Sequence, residues 1–194
     1  MKLIKNTTWE KVFAEWRAHE ANNPGWIHCA TKIKGWPDWE SWRRFTAKQI
    51  DAENRPWKIY EFTNPMEEIP AMLIGPYSSW QSRVVNKNST TFEELLDIPE
   101  QYEHFSKHKG VLSILAGLPF TTELIGAVRE DLNKIVCLEG HHRATAIALA
   151  KKQKVRIDFK GNPITIALTN LQISDCLLLD AISKRGTSKN PPQL

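Results

Sequence analysis

The chain passes from an apolar strand into an apolar helix within residues 136–146, which read VCLEGHHRATA. The glycine at position 140 permits a tight turn and a close approach of the backbone to a ligand. His141, His142 and Arg143 follow it where the predicted helix begins. The first N–H groups of a helix have no internal partner, and the helix dipole adds positive charge there. The stretch therefore predicts an anion pocket, and a phosphate chain is the expected ligand.

The side chains around this turn have the chemistry of a phosphate site. The planar guanidinium of Arg143 can donate two hydrogen bonds to phosphate oxygens. His141 and His142 can donate to the same oxygens, and the backbone and hydroxyl of Thr145 add further donors. A carboxylate beside a bound polyphosphate is a natural Mg²⁺ ligand or proton acceptor, and Glu139 has that position.

Two other interpretations of this stretch remain open. The polar residues could cap a surface helix, although their place between an apolar strand and an apolar helix favours a ligand site. Zinc binding by His141 and His142 is disfavoured, because neighbouring side chains on a turn diverge and no third ligand stands at a familiar spacing.

A second histidine pair, His104 and His108, lies four residues apart on a predicted helix. This spacing occurs in zinc sites, but we favour two histidines that are hydrogen-bonded within the protein or face solvent.

The composition is that of an ordinary globular protein. The 194 residues include 41% hydrophobic and 25% charged residues, with a formal net charge of +4, which excludes overall disorder and coiled coil. This small excess permits an anionic ligand but argues against broad coating of nucleic acid. No apolar run reaches the roughly 18 residues of a membrane span, and no secretory signal is recognisable at the start. Three scattered cysteines suit a reducing compartment, so we expect a cytoplasmic protein without a membrane partner.

All eight tryptophans lie at or before Trp80, so the two halves of the chain differ in character. Apolar faces at helical spacing predict helices over residues 7–20 and 37–53. We favour a core role for the tryptophans over a stacking surface for bases or a peptide. The pair Arg43 and Arg44 is interpreted as a solvated helix end.

The remaining chain mixes short helices and short strands at irregular intervals, which predicts the α+β class. Strands are predicted at 57–62, 71–75, 124–129, 134–138, 155–159 and 164–168, and helices at 92–96, 100–107, 111–116, 144–152 and 174–183. We expect a Trp-rich helical extension over residues 1–57 that packs on a core domain over 58–170. A C-terminal helix and a disordered tail are expected over 171–194.

The EGHHR motif, residues 139–143, resembles the phosphate-binding motif of the ParB/sulfiredoxin superfamily. The free serine kinases of that superfamily have Asp-Gly-His-His-Arg, so this chain differs in having Glu139 in place of Asp. The order of elements is also similar: a strand before Pro76, then Arg83, helices, two strands and the motif. The resemblance covers residues 72–168 and implies a small mixed sheet with surrounding helices.

Three departures from these relatives narrow the expected activity. Sulfiredoxins carry a reactive Cys where this chain has His141, so sulfinic-acid reduction is not expected. ParB partition proteins carry a helix-turn-helix DNA reader after this domain, whereas one predicted helix and a tail follow here. The serine kinases carry a catalytic Glu just after the proline of the first loop, whereas residues 77–80 read YSSW.

The resemblance implies a nucleotide-binding protein that takes ATP, ADP or CTP together with Mg²⁺. The leading hypothesis is a phosphotransferase acting on a small hydroxyl-bearing substrate, or a nucleotide hydrolase. Gly140, His141, His142 and Arg143 would hold the phosphates. Glu139 and His141 are the candidate catalytic residues, and Glu139 is also the candidate Mg²⁺ ligand.

Arg83 is a further candidate for phosphate contact, because the loop after the first strand reaches the ligand in this fold. The second hypothesis is a ParB-like DNA-binding protein or nuclease, supported by the Arg and Trp content of the N-terminal half. The third hypothesis is a catalytically inactive nucleotide-binding module, supported by the missing carboxylate of the first loop.

Overall fold

One mixed sheet of five strands organises residues 1–159 and 161–185, the part of the chain that the computed structural model describes. The strand order is β1-β2-β5-β3-β4. β3 and β5 run parallel, and the other neighbouring strands run antiparallel. The strands are β1 (Lys2–Thr7), β2 (Trp57–Glu61), β3 (Leu124–Arg129), β4 (Lys134–Glu139) and β5 (Thr165–Leu171). The predicted α+β class is confirmed.

Helices surround this sheet. They are α1 (Trp9–Glu20), α2 (Pro24–His28), α3 (Trp39–Lys48), α4 (Pro65–Glu68), α5 (Ser78–Gln81), α6 (Phe92–Asp97), α7 (Pro99–Ser106), α8 (Lys109–Ala116), α9 (His141–Lys152) and α10 (Cys176–Arg185). A π-helical turn over Cys29–Ile33 and 3-10 turns over Ala52–Asn54 and Ile173–Asp175 complete the regular elements of the described residues. Every helix described is too short or too polar to span a bilayer.

The first strand is a difference from the sequence prediction. β1 pairs antiparallel with β2, so the N-terminal segment contributes a strand to the sheet as well as helices. Its residues are almost all exposed on both faces. An edge strand of this kind lacks the alternation of apolar and polar residues that identifies a strand from sequence. The prediction of a purely helical N-terminal segment was therefore wrong in this respect.

The tryptophans of the N-terminal half form a core, as predicted. The six buried tryptophans are Trp9, Trp16, Trp36, Trp39, Trp42 and Trp57, whereas Trp26 and Trp80 are half-buried. Their rings pack edge to face or tilted, for example Trp16 against Trp39 at 5.3 Å between centroids. This arrangement places α1 and α3 against the sheet that carries the EGHHR motif.

A second apolar cluster surrounds α9. The apolar side chains of this helix from Ala144 to Leu149 are buried together with residues of α6, α7 and β5. The helix begins at His141, three residues before the predicted start at Ala144. All three residues that follow Gly140 therefore lie in its first turn.

Two predicted strands are wrong. The segment 71–75 makes single bridges from Leu73 to Thr91 and Val136 rather than a strand. Residues 155–159 have no regular structure, although their β-branched and aromatic content favours a strand. The last predicted helix is present as α10, and the predicted disordered tail from Thr187 to Leu194 lies outside the described residues.

Candidate functional site

A cavity of about 1380 Å³ lies in front of the turn from β4 into α9. Helices α1 and α3 line it from the N-terminal half of the chain. The EGHHR motif, α8 and the loop 120–123 line it from the other half. Of the described residues in its wall, six are Lys or Arg and four are Glu, so its formal charge is positive. The cavity therefore suits an anionic ligand.

The turn has the backbone geometry that the sequence predicts. Gly140 has a φ of +100°, and a β-carbon at this position would overlap the Cδ2 atom of Leu124. No described side chain caps α9. The N–H groups of its first turn therefore have no side-chain acceptor, and they lie at the positive end of the helix dipole.

Arg143 is held firmly on the cavity wall. Its Nη1 donates to the carbonyl oxygens of Thr122 and Glu123, both at 3.1 Å, and to the hydroxyl of Thr122. Its Nη2 donates to Oε1 of Glu139 at 3.4 Å. The guanidinium is therefore fixed in position before any ligand arrives, which lowers the entropy cost of binding.

His141 is a buried, neutral imidazole. Its ring lies 4.9 Å from the Trp80 ring and 5.3 Å from the Tyr77 ring, and the wall of the cavity includes all three. Burial lowers the pKa of His141 to about 3. Its Nε2 has no hydrogen-bond partner among the described residues and faces the backbone of Gly75. His141 is therefore an uncharged group in the wall of the cavity.

His142 stacks on His108, with ring centroids 5.0 Å apart and planes inclined by 17°. Burial, and then the neighbouring His108, lower the pKa of His142 to about 4. Arg83 lies in the same part of the wall, where its Nη1 donates to Gln101 at 3.1 Å. His142 and Arg83, both candidates from the sequence, therefore line the same cavity.

Thr145 is not part of the cavity wall. It is fully buried, and its hydroxyl donates to the carbonyl oxygen of His141 at 2.8 Å. The hydroxyl of a Ser or Thr inside a helix commonly donates to the backbone carbonyl three or four residues earlier. The prediction that Thr145 supplies donors to the ligand is therefore not supported by its position.

Two functional candidates that the sequence analysis missed stand next to Glu139. The Nη2 atom of Arg43 lies 3.3 Å from Oε2 of Glu20 and 3.9 Å from Oε2 of Glu139. Glu20 and Glu139 are thus neighbouring carboxyl groups that share one guanidinium nitrogen. Burial, and then the charge of Glu139, raise the pKa of Glu20 to about 7. Burial also acts to raise the pKa of Glu139, but Arg43 and Arg143 outweigh it and lower this pKa.

Arg43 is enclosed by aromatic rings rather than solvated, so the interpretation of a solvated helix end was wrong for this residue. Its guanidinium carbon lies 4.1 Å from the ring centroid of Trp42 and 4.9 Å from those of Trp16 and Trp26. The Nε atom has no hydrogen-bond partner among the described residues. Cation–π contacts of this kind compensate part of the cost of burying the charge.

A sequence signal for Arg43 exists. The buried residues of α3 stand at positions i, i+3, i+4, i+7 and i+8, and they are Trp39, Trp42, Arg43, Thr46 and Ala47. An arginine inside an apolar stripe has to find a partner in the interior, because an unpaired buried charge is costly. The sequence does not single out Glu20, because charged residues are common at helix ends. Its proximity to Glu139 becomes visible only in the folded structure.

The described residues contain no group of three or more His, Cys, Asp and Glu side chains arranged to hold a metal ion. The oxygens of Glu139 face the guanidinium groups of Arg143 and Arg43 at 3.4 Å and 3.9 Å. A scan of family models finds no match to this chain, and comparisons with curated proteins and with solved structures find none either.

Proposed function

We propose that the cavity binds a nucleotide and that the protein is a nucleotide-dependent phosphotransferase or nucleotide hydrolase. The observation that carries this proposal is the uncapped first turn of α9, which faces a positively charged cavity beside the fixed guanidinium of Arg143. Small-molecule pockets commonly enclose about 300 to 1,000 Å³. The cavity of about 1380 Å³ accommodates a nucleotide and a second, hydroxyl-bearing substrate.

The finer fold assignment belongs to the same proposal. The EGHHR motif stands between β4 and α9, at the strand–helix turn where the resemblance to the ParB/sulfiredoxin superfamily expects it. We assign the sheet and its helices to that fold on this ground. The N-terminal segment then acts as an addition that closes one side of the nucleotide cavity with α1 and α3.

Within the cavity, the phosphates would lie at the N–H groups of the first turn of α9. Arg143 would donate to them from one side, and His142 and Arg83 from the other. The stacked rings of His142 and His108, with Trp80 beside them, offer apolar faces to the base or the ribose. The mechanism is positioning and charge neutralisation, because phosphoryl transfer requires little covalent help from the protein.

Glu139 does not fit the predicted role of Mg²⁺ ligand. Both of its oxygens face guanidinium groups, which repel a further cation at the same place. The ATP, ADP or CTP that we propose as ligand brings phosphate oxygens that bind Mg²⁺ themselves. In our proposal the charge at Glu139 instead orients Arg143 and pairs with Arg43.

The alternatives lose support from the same residues. The DNA-binding hypothesis depends on Trp and Arg side chains in the N-terminal half, but most of these tryptophans and Arg43 are buried. The hypothesis of a catalytically inactive nucleotide-binding module rests on the missing carboxylate in the loop 77–80. The cavity holds two neighbouring carboxyl groups near the motif, those of Glu20 and Glu139, so the chemistry of a base is available there.

Isothermal titration calorimetry with ADP, ATP and CTP, each with and without Mg²⁺, tests the proposal. We expect binding of at least one of these nucleotides, and a loss of about tenfold or more in affinity for Arg143→Gln, because a charge-assisted pair is worth about 1.5 to 3 kcal/mol. Arg156→Gln is the matched control, since Arg156 is exposed and outside the cavity wall. Absence of binding by a folded wild-type sample, or equal binding by both variants, would contradict the proposal.

A further inference from the structure

We propose that Glu20 is the general base of this site and takes the proton from the hydroxyl group that attacks the terminal phosphate. This inference rests on the proposed function and names the residue that makes the chemistry possible. Glu20 is the last residue of α1, so the N-terminal segment would supply a catalytic group to the motif. No sequence motif marks this residue.

A chain of ion pairs links Glu20 to the proposed phosphate site. Its Oε2 lies 3.3 Å from Nη2 of Arg43, and the same nitrogen lies 3.9 Å from Oε2 of Glu139. Glu139 in turn accepts from Arg143, whose neighbours in the first turn of α9 face the cavity. Two residues, Arg43 and Glu139, therefore link the carboxyl group of Glu20 to the guanidinium of Arg143, which would hold the phosphates.

A second observation points to a ligand at this place. Arg43 is 6% exposed and lines the cavity, yet its Nε has no hydrogen-bond partner among the described residues. His141 is 8% exposed and lines the same wall, but its Nε2 faces the backbone of Gly75, so the unpartnered atom that counts here is Nε of Arg43. Buried polar atoms normally have partners, and those that lack one in a cavity wall are often satisfied by a ligand or water.

Glu20 suits the role of base better than Glu139 and Glu123, two other glutamates of the wall. Glu139 lies between two guanidinium groups, which stabilise its charged form and weaken it as a proton acceptor. Burial also raises the pKa of Glu123, but among the described residues no ion pair joins its carboxyl group to Arg43 or Arg143. Burial and the charge of Glu139 raise the pKa of Glu20 to about 7, which suits proton transfer near neutral pH.

The carboxylate of Glu20 accepts the proton of an alcohol or a water molecule, and the oxygen forms a bond to the terminal phosphorus of the nucleotide. The bond from this phosphorus to the bridging oxygen breaks, and the shortened nucleotide leaves with that electron pair. Glu20 then releases its proton to solvent. Arg143 and Arg43 neutralise charge during the transfer, and no oxidant or reductant takes part.

The experiment measures phosphate release and phosphoryl transfer from ATP, ADP and CTP by the full chain, with water, glycerol and free L-serine as acceptors. Glu20→Gln keeps the size and hydrogen bonding of the side chain but removes the base. We expect its turnover to fall about 100-fold to 10,000-fold, with nucleotide affinity unchanged within about threefold. Glu20→Asp should recover part of the turnover. Glu10→Gln, on the same helix but outside the cavity wall, is the control.

A pH profile separates this role from a structural one. Four groups face Glu20: Glu139 on β4, Arg43 on α3, Tyr77 before α5 and Trp16 on its own helix. Wild-type turnover should rise with pH through about 7, where Glu20 loses its proton. The residual turnover of Glu20→Gln should lack this rise.

The outcomes are distinct. Absence of nucleotide binding by the wild type overturns the proposed function and this inference with it. Binding without turnover, or turnover in Glu20→Gln equal to that of the wild type, leaves the nucleotide site in place and overturns the role of Glu20. A loss of turnover in Glu123→Gln instead of Glu20→Gln also overturns it. Circular dichroism of each variant confirms that the fold is intact.

Discussion

Arg43 donates from Nη2 to Oε2 of Glu20 across 3.3 Å, and this ion pair joins the end of α1 to the middle of α3 inside the cavity. Only 7% of the Arg43 side chain and 13% of the Glu20 side chain are exposed. A buried pair contributes little net stability, but removal of one partner leaves an uncompensated charge. The pair therefore fixes the wall that the N-terminal segment presents to the EGHHR motif.

Replacement of Arg43 should destabilise the fold strongly at alkaline pH. We expect Arg43→Met to lower the free energy of unfolding by about 3 to 5 kcal/mol at pH 8, where Glu20 would be charged beside Glu139 without its cation. The loss should be smaller at pH 5, because Glu20 is then protonated. Urea denaturation at both pH values measures it. Arg44→Met, at an exposed set of ion pairs, should cost less than about 1 kcal/mol.

Glu20 itself should make stability fall as the pH rises. Its pKa in the folded state is about 7, above the ordinary value of 4.5, so its favourable contribution is complete below pH 4.5 and is lost as the pH rises through 7. Relative to Glu20→Gln, the wild type should therefore lose on the order of 1 to 3 kcal/mol between pH 5 and pH 8. Urea denaturation of the two proteins in parallel gives the difference. A difference that does not change with pH would contradict the raised pKa of Glu20.

His142 should have the opposite effect from Glu20: it should make the stability of the fold decrease as the pH falls. Its pKa is lowered from 6.5 to about 4, so the folded state binds fewer protons than the unfolded chain in this range. The stabilisation is complete above pH 6.5 and is lost as the pH falls towards 4. Between pH 7 and pH 4.5 the wild type should lose on the order of 1 to 3 kcal/mol relative to His142→Phe. NMR titration of the His142 ring provides an independent check, and a pKa near 6.5 would disprove the prediction.

Gly75 should tolerate no side chain. A β-carbon at this position would overlap the Nε2 of His141 and the carbonyl oxygen of Cys137, which belongs to the backbone of β4 and cannot move aside. We expect Gly75→Ala to cost about 3 kcal/mol and to displace His141. Gly117→Ala, where the nearest atom would be the carbonyl oxygen of Ser113 at 3.6 Å, should cost less than about 1 kcal/mol. Similar unfolding curves for Gly75→Ala and Gly117→Ala would rule out the close approach of His141 and Cys137 to Gly75.

The parts of the site that the sequence predicts are those set by local chemistry. The strand, the left-handed Gly140 and the helix with its polar first turn occupy consecutive residues, so short-range rules identify them. The exposed edge strand β1 and the segment around Leu73 depend on pairing with distant residues, and their local pattern is weak. Glu20 and Arg43 meet Glu139 because α1 and α3 pack on the same sheet. Tertiary packing of this kind leaves only an indirect trace, the arginine within the apolar stripe of α3.

Removal of divalent metal should leave nucleotide binding largely intact, because the positive charge around the phosphates comes from Arg143, Arg83 and the first turn of α9. Glu139, whose oxygens face Arg143 and Arg43, is poorly placed to add a metal ion. In EDTA we expect the Kd of the nucleotide that binds best to stay within about threefold of its value with Mg²⁺, a change of less than about 1 kcal/mol. Glu139→Gln should change the two values equally, since it removes no metal ligand. Calorimetry of the wild type and this variant in both buffers measures the four constants. A loss of more than about 100-fold in EDTA that disappears in Glu139→Gln would show instead that Glu139 holds the ion and that the guanidinium groups move aside for it.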